Sequence, residues 1–519
     1  MKAKTYHEWF LFHQKELTAE LSAQKQEPGA ELTTGVVRYS HLKNYILSGE
    51  EKPDILVACD DDGELSEYAL RMIRDFFALH PRVNMVYGDE DQISGGAHVS
   101  PWFKADWSPD TFLSTFYFGS IFAIRSSVLA LLNPGERTAP EFESESSILE
   151  DAVEEQEARR SEPDTALRTW IYGKLCLKLA QADGGFSRRR GEEMPIGHIP
   201  EILFHATHKP EAWDANLLRE SLTGRFSQES ATTRLISIII PSKDNPEILE
   251  QCVRSVIEYA RVPYEIIIVD NGSNAENRER IQRFVDEINE GDLTAIYLYK
   301  EMPFNMARLN NIGAACANGE MLLFLHDDVM IRKSGWLSHL SEKAKLPYVG
   351  AVGMKLLYPS SNIIQHAGIF SVGGEPVYKL QYRSNEEVWY YGFNKGVRNV
   401  LAISGACVMI RREVFLEVGG FDEANFPNCF TNVDFCYRVY EKGYYNVVRN
   451  NMYLYYYESY SPENSKTKEE RALRRPQEMK RLSELHPEIS KRDPYYHRYL
   501  TQDAKEPRFK IDLTDTGVR

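Results

Sequence analysis

The chain has 519 residues, 43% of them hydrophobic, with 61 Lys and Arg against 76 Asp and Glu and a formal net charge of −15. Such a length exceeds one hydrophobic core and calls for several domains of roughly 100–200 residues each. The acid excess argues against a nucleic-acid surface, and leaves any phosphate ligand to be held by a cation or by backbone amides.

Residues 1–50 begin MKAKTYHEWFLFHQKELTAE, where charge and aromatics are mixed and no secretory n-region and h-region can be drawn. This reads as a helical segment whose Trp9, Phe10 and Phe12 dock on the protein's own core. No apolar stretch approaches the ~18 residues that span a bilayer, so a cytoplasmic protein is expected, at most peripheral at the inner face of the cell membrane. The seven cysteines (Cys59, Cys176, Cys252, Cys316, Cys407, Cys429 and Cys436) include no C-x-x-C pair and sit mostly in apolar runs, as reduced core thiols do.

Residues 51–230 form the next expected domain. DILVACDDDGEL is an apolar strand ending in Asp60, Asp61 and Asp62, followed by HPRVNMVYGDED and IFAIRSSVLALL. Two hydrophilic passages, 136–164 and 208–234, interrupt the pattern, and the main boundary is placed near residue 230. Residues 231–462 then read as strand, loop, helix, strand and acidic turn through ISIIIPSKDNPEILEQCVRSV and YEIIIVDNGS, and GEMLLFLHDDVMI brings Asp327 and Asp328 to the polar end of another apolar run. That order describes an α/β half with paired carboxylates at the carboxyl edge of its sheet, oxygen ligands suited to Mg²⁺ or Mn²⁺. The two regions look like duplicates: 19 residues separate Asp62 from Pro81, as they do Asp328 from Pro347, and IFAIRSSVLALL corresponds to CVMIRREVFLEVGG. Residues 463–519 are charged and read as an exposed helical tail.

The segments IPSKDNPEILEQC, IIIVDNGS, FNMARLNNIGAA, GEMLLFLHDDV, GAVGMKLLYP, IQHAGI, SGACVMIRREVFLEVGGFDE and VDFCYRV occur in the order seen in glycosyltransferase family 2, which residues 236–461 closely resemble. The first region, through DDDGEL, YGDEDQI, PWFKADWSPDTFL and HIPEILFH, resembles the same fold with its opening nucleotide-binding portion shortened. The resemblance implies tandem GT-A domains, Rossmann-like with mixed sheets, the first truncated, and a nucleotide-sugar donor lying over the strand ends. It implies that Asp270 meets the imide of uracil or thymine, or caps its own turn DNGS. Pro241, Ser242, Asp244, Asn310 and Asn311 would face the nucleotide, the two asparagines being equally able to cap their helix. Asp327 and Asp328 would hold Mn²⁺ or Mg²⁺ and the diphosphate, Asp328 matching the family's metal ligand. Trp336 and the small residues Ser404, Gly405 and Ala406 would lie on the acceptor side, or serve ordinary packing.

Two departures bear on turnover. Inverting transfer needs a base for the acceptor hydroxyl, and the family's base position carries Asn432 here, with Asp434 two residues on as the candidate substitute. Where relatives carry histidines before Glu-Ser, LYYYESYSP has Tyr456 and Tyr457, whose phenols titrate near 10 and make poor ligands for hard cations, with Glu458 as a possible oxygen donor. His326 stands where the motif usually has Asp or Asn. The first region offers Lys174 and no acid in WIYGKLCLKLA, its expected base region, and reads as noncatalytic. The expected function is inverting transfer from a UDP- or dTDP-sugar to a carbohydrate acceptor, lipid- or protein-linked, in surface polysaccharide synthesis, with room for a partner glycosyltransferase. The alternative is a pseudo-glycosyltransferase acting as a binding or scaffold subunit.

Overall fold

The computed structural model describes residues 3–23, 32–132, 162–182, 184–188, 193–218, 234–291, 293–457, 465–506 and 508–513. The boundary near residue 230, Glu458 and almost all of the acidic passage 136–164 lie outside the described residues. The chain divides into two compact units, the first comprising Met1–Phe186 and Glu193–Ser227, the second chiefly Gln228–Gly517.

The second unit is built on a ten-stranded mixed sheet. Its spine runs Thr294–Tyr299, Tyr264–Asp270, Ile236–Ser242, Met321–Leu325, Cys407–Arg411, Val349–Leu357, Tyr445–Tyr456 and Val329–Met330. The first four strands are parallel, and Cys407–Arg411 runs antiparallel to both of its neighbours, so Val349–Leu357 points the same way as Met321–Leu325. These strands read as continuous apolar runs because helices cover both faces of the sheet. Ile238, Ile266 and Leu323 enter one core with Val253, Phe284 and Trp336, whereas Ile239, Ile267 and Leu322 enter another with Leu309, Phe415 and Phe435. Alternation with period two thus feeds two cores, and the polar residues of each strand are displaced to its tip.

In the first unit a seven-stranded sheet follows the order Thr34–Arg38, Ile55–Cys59, Ile121–Arg125, Met85–Ser94, Ile196–Ala206 and Gly63–Leu65, with Ala97–Trp102 paired to Met85–Ser94. Order and polarity repeat those of the second unit from Ile236–Ser242 onward. Among the described residues nothing corresponds to the strands Tyr264–Asp270 and Thr294–Tyr299. The helix Tyr6–Ala23 buries Trp9 and Phe10, while Phe12 is 38% exposed and does not join the core expected for it. Five of the cysteines are buried, and all seven are free thiols.

Candidate active site

Three strand tips converge at the carboxyl edge of the second unit. Ile236–Ser242 ends in a loop where Asp244 adopts φ +54°, a left-handed conformation that Asp tolerates better than most residues. The Asp244 carboxylate accepts from the Asn274 backbone N–H at 2.9 Å and from the amides of Asn274 and Asn277 at 2.9 and 3.0 Å, while its own N–H donates to Ser273 Oγ at 2.8 Å. Asp244 therefore ties the first loop to the turn after Asp270. Pro241 and Ser242 are buried beneath this loop.

Asp270 is fully buried at the tip of Tyr264–Asp270, where it accepts from Ser273 N–H at 2.8 Å and from the Tyr297 hydroxyl. The next residue, Asn271, is 2% exposed, yet neither its side-chain Nδ2 nor its Oδ1 has a partner. Asn310 is 7% exposed and its Oδ1 is likewise unpartnered. A buried polar group without a partner carries a desolvation cost of about 1–3 kcal/mol, so each of these amides, Asn271 after a strand tip and Asn310 on the helix Met306–Cys316, marks a place where a polar group would be gained. Sequence reasoning missed Asn271; the turn DNGS was its one signal, and that signal equally describes a plain turn.

The tip of Met321–Leu325 carries the carboxylate pair. Ser242 Oγ donates to Asp327 Oδ2 at 2.6 Å, and Tyr457 N–H donates to the Asp328 carbonyl at 3.1 Å. Both aspartates are half-buried, open enough to accept a ligand. The donors fit a hard divalent cation in part: two carboxylates supply oxygen ligands and leave other positions to phosphate oxygens and water. His326 Nδ1 lies 3.1 Å from the Tyr456 hydroxyl, so the histidine and the tyrosine at the two variant positions engage each other.

Residues 403–406 close the edge. His326 N–H donates to the Ala406 carbonyl at 3.0 Å, and Ser404 N–H donates to His366 Nε2 at 3.2 Å. Burial pushes the His366 imidazole down to about 3, which keeps it a neutral acceptor. A Cβ at Gly405 would come within 3.3 Å of Asn432, whose amide donates to the Ile403 carbonyl. His326, Gly405, Ala406 and Asn432 are therefore together at one edge.

Three expected residues are placed elsewhere. Asp434 is 1% exposed and lies two positions after Asn432 on the helix Thr431–Glu441, about 200° around its axis, so the two face opposite ways. It accepts from Arg438 Nε and Nη2 at 2.9 and 2.7 Å and pairs with His486 Nε2 at 3.1 Å, which commits its oxygens to holding the tail. Asn311 is engaged by Phe421 and Glu423: its Nδ2 donates to the Phe421 carbonyl at 2.9 Å and to Glu423 Oε1 at 2.8 Å, and its Oδ1 accepts from Phe421 N–H at 3.0 Å. Trp336 is fully buried in the core and presents no surface to an acceptor.

The tail is docked. His486 Nδ1 also meets Glu441 Oε1 at 2.9 Å, and burial, which opposes the charge, is outweighed by Asp434 and Glu441, raising the imidazole to about 9. Glu478, on the helix Ser465–Leu485, accepts from Cys429 N–H at 3.0 Å.

A family model described as "Glycosyl transferase family 2" matches residues 237–419. The chain is 29% identical over 497 residues to the O-antigen biosynthesis protein RfbC of Myxococcus xanthus, covering 88% of this chain and 34% of that protein. It is 29% identical over 419 residues to the uncharacterized protein y4gI of Sinorhizobium fredii, covering 80% and 45%. The chain thus spans less than half the length of these curated relatives. Among solved structures it is similar to the mannosyltransferase PcManGT from Pyrobaculum calidifontis in complex with GDP-Man and Mn²⁺, at 15% identity and TM-score 0.34 over 47% of this chain and 64% of that one. It is also similar to GalNAc-T7 with UDP, GalNAc and Mn²⁺, at 15% identity and TM-score 0.38 over 55% and 56%. Among the described residues no helix is long and apolar enough to cross a membrane.

Proposed function

Residues 237–419 form a glycosyltransferase family 2 domain, and on that premise we propose that the second unit transfers a sugar, with inversion, from a UDP- or dTDP-sugar to a carbohydrate acceptor in surface polysaccharide synthesis. The observation that carries this reading is the run of strand tips just described. The unpartnered Asn271, on the turn that buried Asp270 caps, marks its nucleobase end, and half-buried Asp327 and Asp328 stand two strands away at its diphosphate end. Asp327 and Asp328 would hold Mn²⁺ or Mg²⁺, which, when bound, neutralises the leaving diphosphate. Asp244 keeps the nucleotide loop in shape, and Gly405 lets the backbone pack closely against Asn432 at the expected base position.

Calorimetric titration of the protein with UDP- and dTDP-sugars, and with GDP-mannose, each with and without Mn²⁺, tests the proposal. Metal-dependent binding of a UDP- or dTDP-sugar is expected. Binding of none of them would refute it.

One observation favours a second reading, a family member that binds without turnover. Asn432 is an amide that cannot take a proton at neutral pH, and Asp434 is turned away into an ion-pair cluster. Asn432→Asp separates the readings, since restoring a carboxylate beside Gly405 raises donor hydrolysis or transfer if a missing base is what limits the site. Wild-type transfer that falls on the same substitution would show that the amide itself serves the reaction.

A further inference from the structure

The loops after Val349–Leu357 display aromatic rings that neither core uses. Tyr358 and Tyr382 stack in an offset, near-parallel arrangement, ring centroids 5.4 Å apart and planes within 7°, yet Tyr382 remains 67% exposed. Gln381 Nε2 donates to the Tyr358 hydroxyl at 3.0 Å, and Tyr382 N–H donates to the Ile364 carbonyl at 2.8 Å, so the pair is fixed from both sides. Among the described residues seven non-glycines have positive φ, and five of them fall in this region: Ser360, Leu380, Tyr382, Tyr390 and Tyr391. Such conformations persist only where the surroundings enforce them, and they collect at binding sites. The enforcement is visible: buried Asn394 accepts from Trp389 N–H at 3.0 Å and donates to the Glu387 carbonyl at 2.8 Å, and Trp389 Nε1 donates to the Ser384 carbonyl at 2.8 Å.

Strand register places this stack relative to the carboxylates. Leu357 lies opposite Tyr455 on one side of the strand Tyr445–Tyr456, and Val329 lies opposite Tyr456 on the other. Tyr358 and Asp328, which adjoin Leu357 and Val329, are therefore separated by a single intervening strand, about 10 Å at the usual inter-strand spacing. That distance is on the order of two sugar rings. Asp270 and Asn271 lie beyond Asp328 in the opposite direction across the sheet, so the stack is on the side away from the nucleobase end.

Resting on the transferase reading, we propose that Tyr382, backed by Tyr358, is the platform for a sugar ring of the acceptor chain one or two residues behind the attacked one, so that this domain extends a glycan of at least two or three units. A pyranose has an apolar face of axial C–H groups and a rim of hydroxyls; its flat face matches an exposed tyrosine held rigid, as an aromatic ring would match it by offset stacking. Rigidity means that little rotamer freedom is lost when the sugar binds.

The test is saturation-transfer NMR of the full chain with neutral gluco-, manno-, galacto- and rhamno-configured trisaccharides, comparing wild type with Tyr382→Ala and Tyr382→Phe, with thermal melting to confirm that each variant is folded. Transfer to ring protons of at least one trisaccharide is expected for wild type and Tyr382→Phe, with affinity for Tyr382→Ala weaker by ~3–10-fold or more. Equal binding by Tyr382→Ala, or no binding of any trisaccharide by wild type, overturns the proposal. Mn²⁺-dependent donor binding, titrated on the same samples, is expected to be unchanged by Tyr382→Ala. A protein that takes no donor but binds a trisaccharide through Tyr382 would sink the transferase reading and leave the platform standing.

Discussion

The two units carry the same strand tip with different surroundings. In the first, Asp60 N–H donates to the Ser120 carbonyl, Ser40 Oγ to Asp61, and Thr207 N–H to the Asp62 carbonyl. In the second, His326 N–H donates to the Ala406 carbonyl, Ser242 Oγ to Asp327, and Tyr457 N–H to the Asp328 carbonyl. Contact for contact, Asp61 and Asp62 occupy the places of Asp327 and Asp328. What differs is the neighbouring sheet: the first unit has no counterpart, among its described residues, of the strands that carry Asp270 and Tyr297. A carboxylate tip is thus part of the shared scaffold, and the outer parallel strands, with Asp270 and Asn271 at one tip, are what sets the described second unit apart.

Interior charge differs as well. The first unit buries three consecutive acids on Met85–Ser94, and each has its own base. Asp89 meets His198 at 3.0 Å, Glu90 meets Lys104 at 3.4 Å, and Asp91 meets His205 and His98 at 2.6 and 3.0 Å, with the Tyr6 hydroxyl donating to Asp91 at 2.8 Å. Burial works against the Asp91 charge, but the hydrogen bonds from His205 and His98 hold its carboxyl below the usual range. Asp91, His98 and His205 are close enough to share a metal ion, yet the three hydrogen bonds already satisfy the carboxylate. In the second unit the strand Val349–Leu357 is apolar on both sides of a single buried cation, Lys355, whose ammonium burial depresses to about 7.

The sharpest break in this comparison comes from removing one carboxylate in each unit. Asp328→Ala should weaken Mn²⁺-dependent donor binding by about 100-fold or more, several kcal/mol of charge interaction being lost, whereas Asp62→Ala should leave it unchanged. Equal losses in calorimetry would show that the first unit also holds a donor.

Asp91→Asn comes next. Breaking a buried ion-pair cluster costs about 3–5 kcal/mol, so the first unit should unfold at markedly lower urea while donor binding by the second persists. A smaller effect is expected from Asp434→Asn. The folded His486 pKa, about 9, exceeds its ordinary 6.5, so its stabilisation is complete below the lower value and lost as pH rises through the higher one. The pair cluster is worth on the order of 3 kcal/mol by that linkage, and melting measured from pH 6 to 10 should show the loss in wild type and a flatter profile in Asp434→Asn. Smallest is Asn271→Ala, expected to weaken donor binding by about 5–10-fold through one or two lost hydrogen bonds, with no change in melting.

Much of the scaffold was legible in the residues. Ile236–Ser242, Tyr264–Asp270 and Met321–Leu325 are apolar runs that end in polar residues, because a strand covered on both faces has only its tips to place them. The same logic disclosed the duplicated aspartates, and the charged tail was recognisable as helical. Side-chain partnerships were not legible, since they join residues far apart in the chain: Asp434 with His486, Asn311 with residues 421–423, Tyr358 with Tyr382. Local sequence determined where carboxylates stand relative to the strands. Tertiary packing decided which remain open to a ligand, because a half-turn of helix or one long-range hydrogen bond is enough to turn a candidate base into an anchor and to leave the neighbouring amide facing the site.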